Sequence, residues 1–110
     1  MIIDKNGNIT IITQETFTII ELVKKLEALY PKFKNDNLVV VLTALGKINT
    51  ADVVEFLNIS NIHKSEKHSF VIVSENIDID KIPEDLIVVP TQQEAFDIIE
   101  MEEMERDLGF

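Results

Sequence analysis

Apolar and polar positions change rhythm several times along this chain. IIDK and NITIIT carry the apolar residues of half-buried strands and flank Asn6-Gly7, a pair favoured in two-residue type I′ turns because both positions take positive φ; the pattern predicts a β-hairpin. From Thr18 the period lengthens. Ile19, Leu22, Val23, Leu26 and Leu29 recur at steps of three and four, which draws one apolar stripe along a helix. Thr18-Ile-Ile-Glu21 has the spacing of a capping box, and Phe17 is placed to staple onto Leu22. Pro31 predicts an end at Tyr30, since the residue before a proline avoids helical geometry. Leu38 to Leu42, the run LVVVL, has the pattern of a central strand covered on both faces.

Asn49 or Thr50 can cap a second helix, with Asp52 in its first turn complementing the helix dipole. Val53, Val54, Leu57 and Asn61-Ile62 lie along one side of it, and it fades near Lys64. Phe70 to Val73 and Leu86 to Val89 are further short strands, separated by SENIDIDKIPED, which contains Pro83 and has no helical period. Thr91-Gln-Gln-Glu94 is another capping box and opens the last helix. Its apolar positions Ala95, Ile98 and Ile99, with Phe96 nearby, continue as Met101, Met104 and Leu108. A helix from Gln92 to Leu108 is about 25 Å long, against ~17 Å for a five-residue strand, so its last turns are expected to overhang the sheet. Strands separated by helices usually run parallel. The expected fold is therefore α/β: an N-terminal β-hairpin, three further mainly parallel strands and three flanking helices. Residues 1–110 read as one domain, with 100–110 an acidic extension of the C-terminal helix.

Charge changes the picture at that extension. In the last fourteen residues, DIIEMEEMERDLGF, six positions are Asp or Glu and only Arg106 is basic, which supplies half of the formal net charge of −10. Carboxylates at the negative end of a helix are unfavourable by roughly 0.3–1 kcal/mol each when exposed, so something other than isolated helix stability accounts for them. Methionines adapt their shape to a partner and acids steer basic surfaces, which makes Met101, Met104, Glu105 and Leu108 a candidate partner surface. The bland alternative is a helix end folded back over its own sheet with its carboxylates merely solvated. A pI near 4.5 repels a phosphate backbone, so unassisted nucleic-acid binding is not expected. LVVVL falls far short of the ~20 apolar residues a bilayer requires, so no membrane partner is expected. The N-terminus MIIDKNGNIT lacks the features of a secretory signal, and the cytoplasm is the expected compartment.

Bond-making chemistry finds few residues. The chain has no cysteine, which removes thiolate metal sites and cysteine nucleophiles. His63 and His68, in HKSEKH, are expected as exposed residues where the second helix gives way to a strand; zinc usually requires at least three protein ligands, and no others converge there in the sequence. The serines lack a Gly-x-Ser-x-Gly elbow. Asp78, Asp80, Glu84 and Asp85 offer hard oxygen atoms, but without the glycine and terminal Glu of a calcium-hand loop they read as a solvated connection. Gly7, Gly46 and Gly109 are isolated and cradle no phosphate. No cofactor, metal or catalytic residue is expected.

The order of elements, with NLVVVLTALGKINTADVVEFL and LIVVPTQQEAFDII, resembles the STAS domain shared by anti-sigma-factor antagonists and the cytoplasmic ends of sulfate transporters. The resemblance implies that Leu38 to Leu42 leads through a loop to a helix start at Asn49-Thr50-Ala51-Asp52, where the family carries Asp-Ser-Ser(or Thr)-Gly. In this register the phosphorylated hydroxyl falls on Ala51, which has none, and the glycine falls on Asp52, whose charge opposes a phosphoryl group. Thr50 lies one position early and reads as a cap. The whole chain is also similar to short bacterial proteins of flavobacteria and their relatives that share the ending IEMEEMERDLGF and often carry the label ribonuclease Z. That enzyme's His-x-His-x-Asp-His cluster is absent from this sequence. The resemblance implies a non-enzymatic protein-interaction module without the usual phospho-switch. Two other classes remain open: an RNA-processing enzyme or enzyme subunit, as the label suggests, and a self-associating structural domain, a homodimer in which the Met stripe pairs with its symmetry mate.

Overall fold

A computed structural model describes residues 1–15, 18–45, 48–75 and 77–109. Five strands form one sheet in the order β1 (Ile2–Asn6), β2 (Ile9–Thr13), β3 (Asn37–Val41), β4 (Phe70–Val73) and β5 (Ile87–Val89). β1 and β2 are antiparallel, and β2 through β5 are parallel. The helices are α1 (Ile19–Phe33), α2 (Thr50–Val54), α3 (Leu57–Ser65) and α4 (Gln92–Asp107); α2 and α3 together form one interrupted connection, so three helical units flank the sheet.

Because the parallel strands follow one another in sequence order, crossovers of the same hand must all pass over the same face. α1, α2 and α3 do so. They bury Leu22, Leu26, Val53, Phe56 and Ile59 against Ile12, Leu38, Val40, Leu42, Phe70 and Ile72. α4 follows the last strand, free of that constraint, and covers the other face, where Ala95 and Ile99 meet Val39, Val41, Val71, Val73 and Val89. Every residue of β3 is buried, as the two-sided apolar run requires.

Side-chain caps set the helix starts. Thr18 accepts from the Glu21 amide at 3.2 Å, Asn49 from the Asp52 amide at 2.9 Å and Thr91 from the Glu94 amide at 3.1 Å. Thr91→Ala should cost about 1 kcal/mol, read as a lower urea midpoint with an unchanged slope. The staple assigned to Phe17 lies outside the described residues.

Four local expectations are corrected. The hairpin turn is Gly7-Asn8, one position later than Asn6-Gly7, and among the described non-glycine residues only Lys67 has positive φ. Gly7, at 62°, carries the left-handed conformation by itself, as in turns that place glycine first. α1 does not end at Tyr30 but runs on to Phe33, with Pro31 inside its last turn. Burial of Phe33 holds that turn in place, and the Lys34 amide still reaches the Tyr30 carbonyl at 2.9 Å. The second helix is broken at Glu55-Phe56, which sets Phe56 fully into the core, while Val54 and Ile62, assigned to the inner side, are exposed. The last strand starts at Ile87, Leu86 being a buried residue of the preceding turn.

Candidate functional site

α4 departs furthest from its sequence pattern. Successive steps of three residues drift backwards round a helix by about 60° each, so Ile98, Met101 and Met104 walk from the flank of α4 to its outer surface. Met104 lies about 180° from the buried Ala95, and Leu108 about 180° from the buried Ile99. Met101, Met104 and Leu108 are accordingly 60%, 59% and 72% exposed, and Glu105 is exposed beside them. The stripe that looked continuous is two stripes on opposite sides, and the outward one is mostly exposed.

The inward positions of the same turns are polar. Glu103 accepts from the side-chain amides of Asn8 at 2.9 Å and Asn37 at 3.2 Å. Arg106 donates to Ser69 Oγ at 3.3 Å and to Asn37 Oδ1 at 3.4 Å. Asn37 Oδ1 also accepts from the buried Ser69 amide at 2.8 Å. The end of α4 therefore does not overhang: it is tied to the amino-terminal ends of β3 and β4 by a polar clasp, because Asn37 opens β3 and Ser69 immediately precedes β4. That clasp accounts for Glu103 among the terminal acids.

A second polar group lies across the sheet from it. His63 is fully buried within α3, where the sequence suggested an exposed position; it falls on the core side of the helix with Ile59 and Ser60. Its Nε2 lies 2.6 Å from the Asp36 carbonyl, which can only accept, so Nε2 carries the proton and Nδ1 accepts from the Tyr30 hydroxyl at 2.7 Å. Burial lowers its pKa to about 4, helped by His68 and Arg106 and opposed by Asp36. Burial also raises the Tyr30 hydroxyl, with Glu66 adding to it, which keeps that group a donor. The Asp36 carboxylate in turn accepts from Thr10 at 2.9 Å and faces Lys5 at 3.4 Å. Both ring nitrogens of His63 are engaged, and among the described residues no three His, Asp or Glu side chains are grouped to hold a metal ion.

At the opposite, carboxyl end of the strands, Asn49 caps α2, Thr50 and Asp52 are half-buried and Ala51 is exposed. Thr50 is the first helical residue rather than the cap. The acidic connection folds locally: Asp78 accepts from the Asp80 amide at 3.1 Å and lies 3.9 Å from Lys81. Gln14 and Ser74, both buried, have side-chain polar atoms with no partner. They continue the inward phase of Ile12 and Ile72, a signal visible in the sequence only once the strand register is known.

No family model matches the chain, and no curated protein matches it. Among the described residues no helix is long and apolar enough to cross a membrane.

Proposed function

We propose that this chain is a non-enzymatic, STAS-like protein-interaction module of the bacterial cytoplasm, related in manner to anti-sigma-factor antagonists but working without their phospho-switch. The supporting observation is the outward stripe of Met101, Met104 and Leu108, held in a fixed orientation because the opposite side of the same turns is clasped to the sheet. A flexible tail with this composition could bury its apolar residues on its own domain; a clasped helix presents them. At the family's switch position Ala51 offers no hydroxyl, consistent with constitutive rather than phosphate-controlled binding.

The test is photo-crosslinking in cells from positions 101 and 104, with Ile20, an exposed apolar residue on α1, as the control position. Discrete partner adducts are expected from 101 and 104 but not from 20. The variant carrying Met101→Ser, Met104→Ser and Leu108→Ser should lose the partner while unfolding within about 0.5 kcal/mol of the parent, as surface substitutions do. Equal adducts from all three positions, or none, would defeat the proposal.

A further inference from the structure

Resting on the interaction-module reading, we infer that the partner contributes a basic amphipathic helix, which docks beside α4 on the exposed face of β1 and β2. α4 packs chiefly on β3, β4 and β5. It therefore leaves two strands of the same face without a helix. Neighbouring strands lie ~4.8 Å apart, so β2 is displaced from β4 by roughly 10 Å, the usual separation of packed helix axes. The vacant strip is the width of one helix. Along it, Phe96 to Asp107 extends for about 17 Å, some three helical turns.

The lining of that strip selects the occupant. Between α4 and the hairpin runs a groove of about 360 Å³ with Ile9, Phe96 and Ile99 among its apolar residues and Met104 at its lip. Its charged residues are Glu100, Glu103 and Asp107, and among the described residues no Lys, Arg or His lines it. Asp4 adds a further carboxylate, since it lies opposite Ile11 in the hairpin register and so shares its side of the sheet. The one basic residue of α4, Arg106, is turned into the clasp with Ser69 and Asn37. An apolar floor with a rim of Asn6 and three carboxylates matches a helix whose leucine-like face points down and whose lysines or arginines lie along its sides. A second copy of this chain meets the same rim with a net charge of −10 and is disfavoured by it.

The probe is a synthetic helix of about 18 residues made of Leu and Lys at helical spacing, compared with a scrambled peptide of identical composition and a Leu/Glu counterpart. Binding is read by fluorescence anisotropy and mapped by backbone amide chemical shifts. The amphipathic basic peptide should perturb Ile9, Ile11, Phe96, Glu100 and Met104, and bind at least about tenfold more tightly than either control. Glu100→Lys with Asp107→Lys should weaken it about tenfold or more, and raising salt from about 50 to 500 mM should weaken it similarly. Glu84→Lys with Asp85→Lys, an equal change of net charge in an exposed turn, should change it by less than about threefold. Equal losses from both charge-reversal pairs, shifts centred away from the groove, or equal binding of the scrambled peptide would overturn the inference. So would a concentration-dependent dimer in light scattering whose interface maps to this strip. Failure of the peptide while crosslinks from 101 and 104 persist defeats only the groove assignment; absence of those crosslinks defeats the module reading itself.

Discussion

Replacing Asn37 by Ala is expected to lower the unfolding free energy by about 2–4 kcal/mol and the melting temperature by roughly 10–20 °C, the largest effect of any single polar substitution considered. Asn37 is buried at the first residue of β3 and serves three partners at once. Its Oδ1 accepts from the Ser69 amide and from Arg106, and its Nδ2 donates to Glu103. Truncation strands the Ser69 amide in a fully buried position, which costs about 1–3 kcal/mol by itself, and loosens Glu103 and Arg106 of α4. Urea unfolding measures the total. Hydrogen exchange locates it: amides of residues 100–107 should lose protection before those of β3 and α1. Glu103→Gln keeps an acceptor for the Asn side chains and should cost less than about 1 kcal/mol. An Asn37→Ala protein within 0.5 kcal/mol of the parent would show that the clasp contributes nothing to α4.

On the interaction-module reading proposed above, this effect on stability is also a route to function. Losing the clasp frees the end of α4 to rotate, and Met101, Met104 and Leu108 then have no fixed direction. An Asn37→Ala protein should therefore show weaker partner capture even though residue 37 touches no partner.

The parts of the fold that were legible in the sequence are those decided by local chemistry. Thr18, Asn49 and Thr91 cap helices because their side chains satisfy nearby amides whatever the rest of the chain does. β3 was legible because the five successive apolar residues Leu38 to Leu42 leave no polar face for a sheet surface, although the strand runs one position earlier, Asn37–Val41. What failed was decided by neighbours remote in sequence. Pro31 is tolerated in α1 because Phe33, two residues beyond it, is buried in the core. The interruption after Val54 accompanies full burial of Phe56, with Leu57 partly buried against the same core. His63 looked exposed because polar residues surround it in sequence, yet its partners are Tyr30 and Asp36, about thirty residues away. In α4 the error was one of phase: a spacing of three repeated twice was read as one face, when an accumulated drift of about 120° takes it to the other. Met101, Met104 and Leu108 are thus exposed because of the phase of the helix, not because its end overhangs the sheet. The groove beside them, which depends on which strands α4 leaves bare, had no sequence signature.

Acid should destabilise this protein as the pH falls below about 6.5, and His63 is the expected cause. In the unfolded chain the imidazole binds a proton near its ordinary pKa of 6.5; in the folded protein burial holds that pKa at about 4. Between those values the unfolded state binds the extra proton, so stability is fully present above about pH 6.5 and declines as the pH falls towards 4. The steepest loss approaches ~1.4 kcal/mol per pH unit, for a total on the order of 2–3 kcal/mol. The high negative charge acts in the opposite sense, since protonating acids relieves repulsion in the compact state, so the wild-type curve alone is ambiguous. The difference between the parent and His63→Gln removes that background. Glutamine can still donate to the Asp36 carbonyl and accept from Tyr30, but it cannot titrate. The expected result is a gap between the two urea-derived stabilities that shifts in favour of the glutamine protein as the pH is lowered from 6.5 to 4. Its size should match a histidine ring whose carbon-bound proton signals remain those of the neutral form until near pH 4. A gap independent of pH, or a ring that protonates near 6.5 without loss of stability, would mean that the Tyr30–His63–Asp36 contact does not govern the acid response.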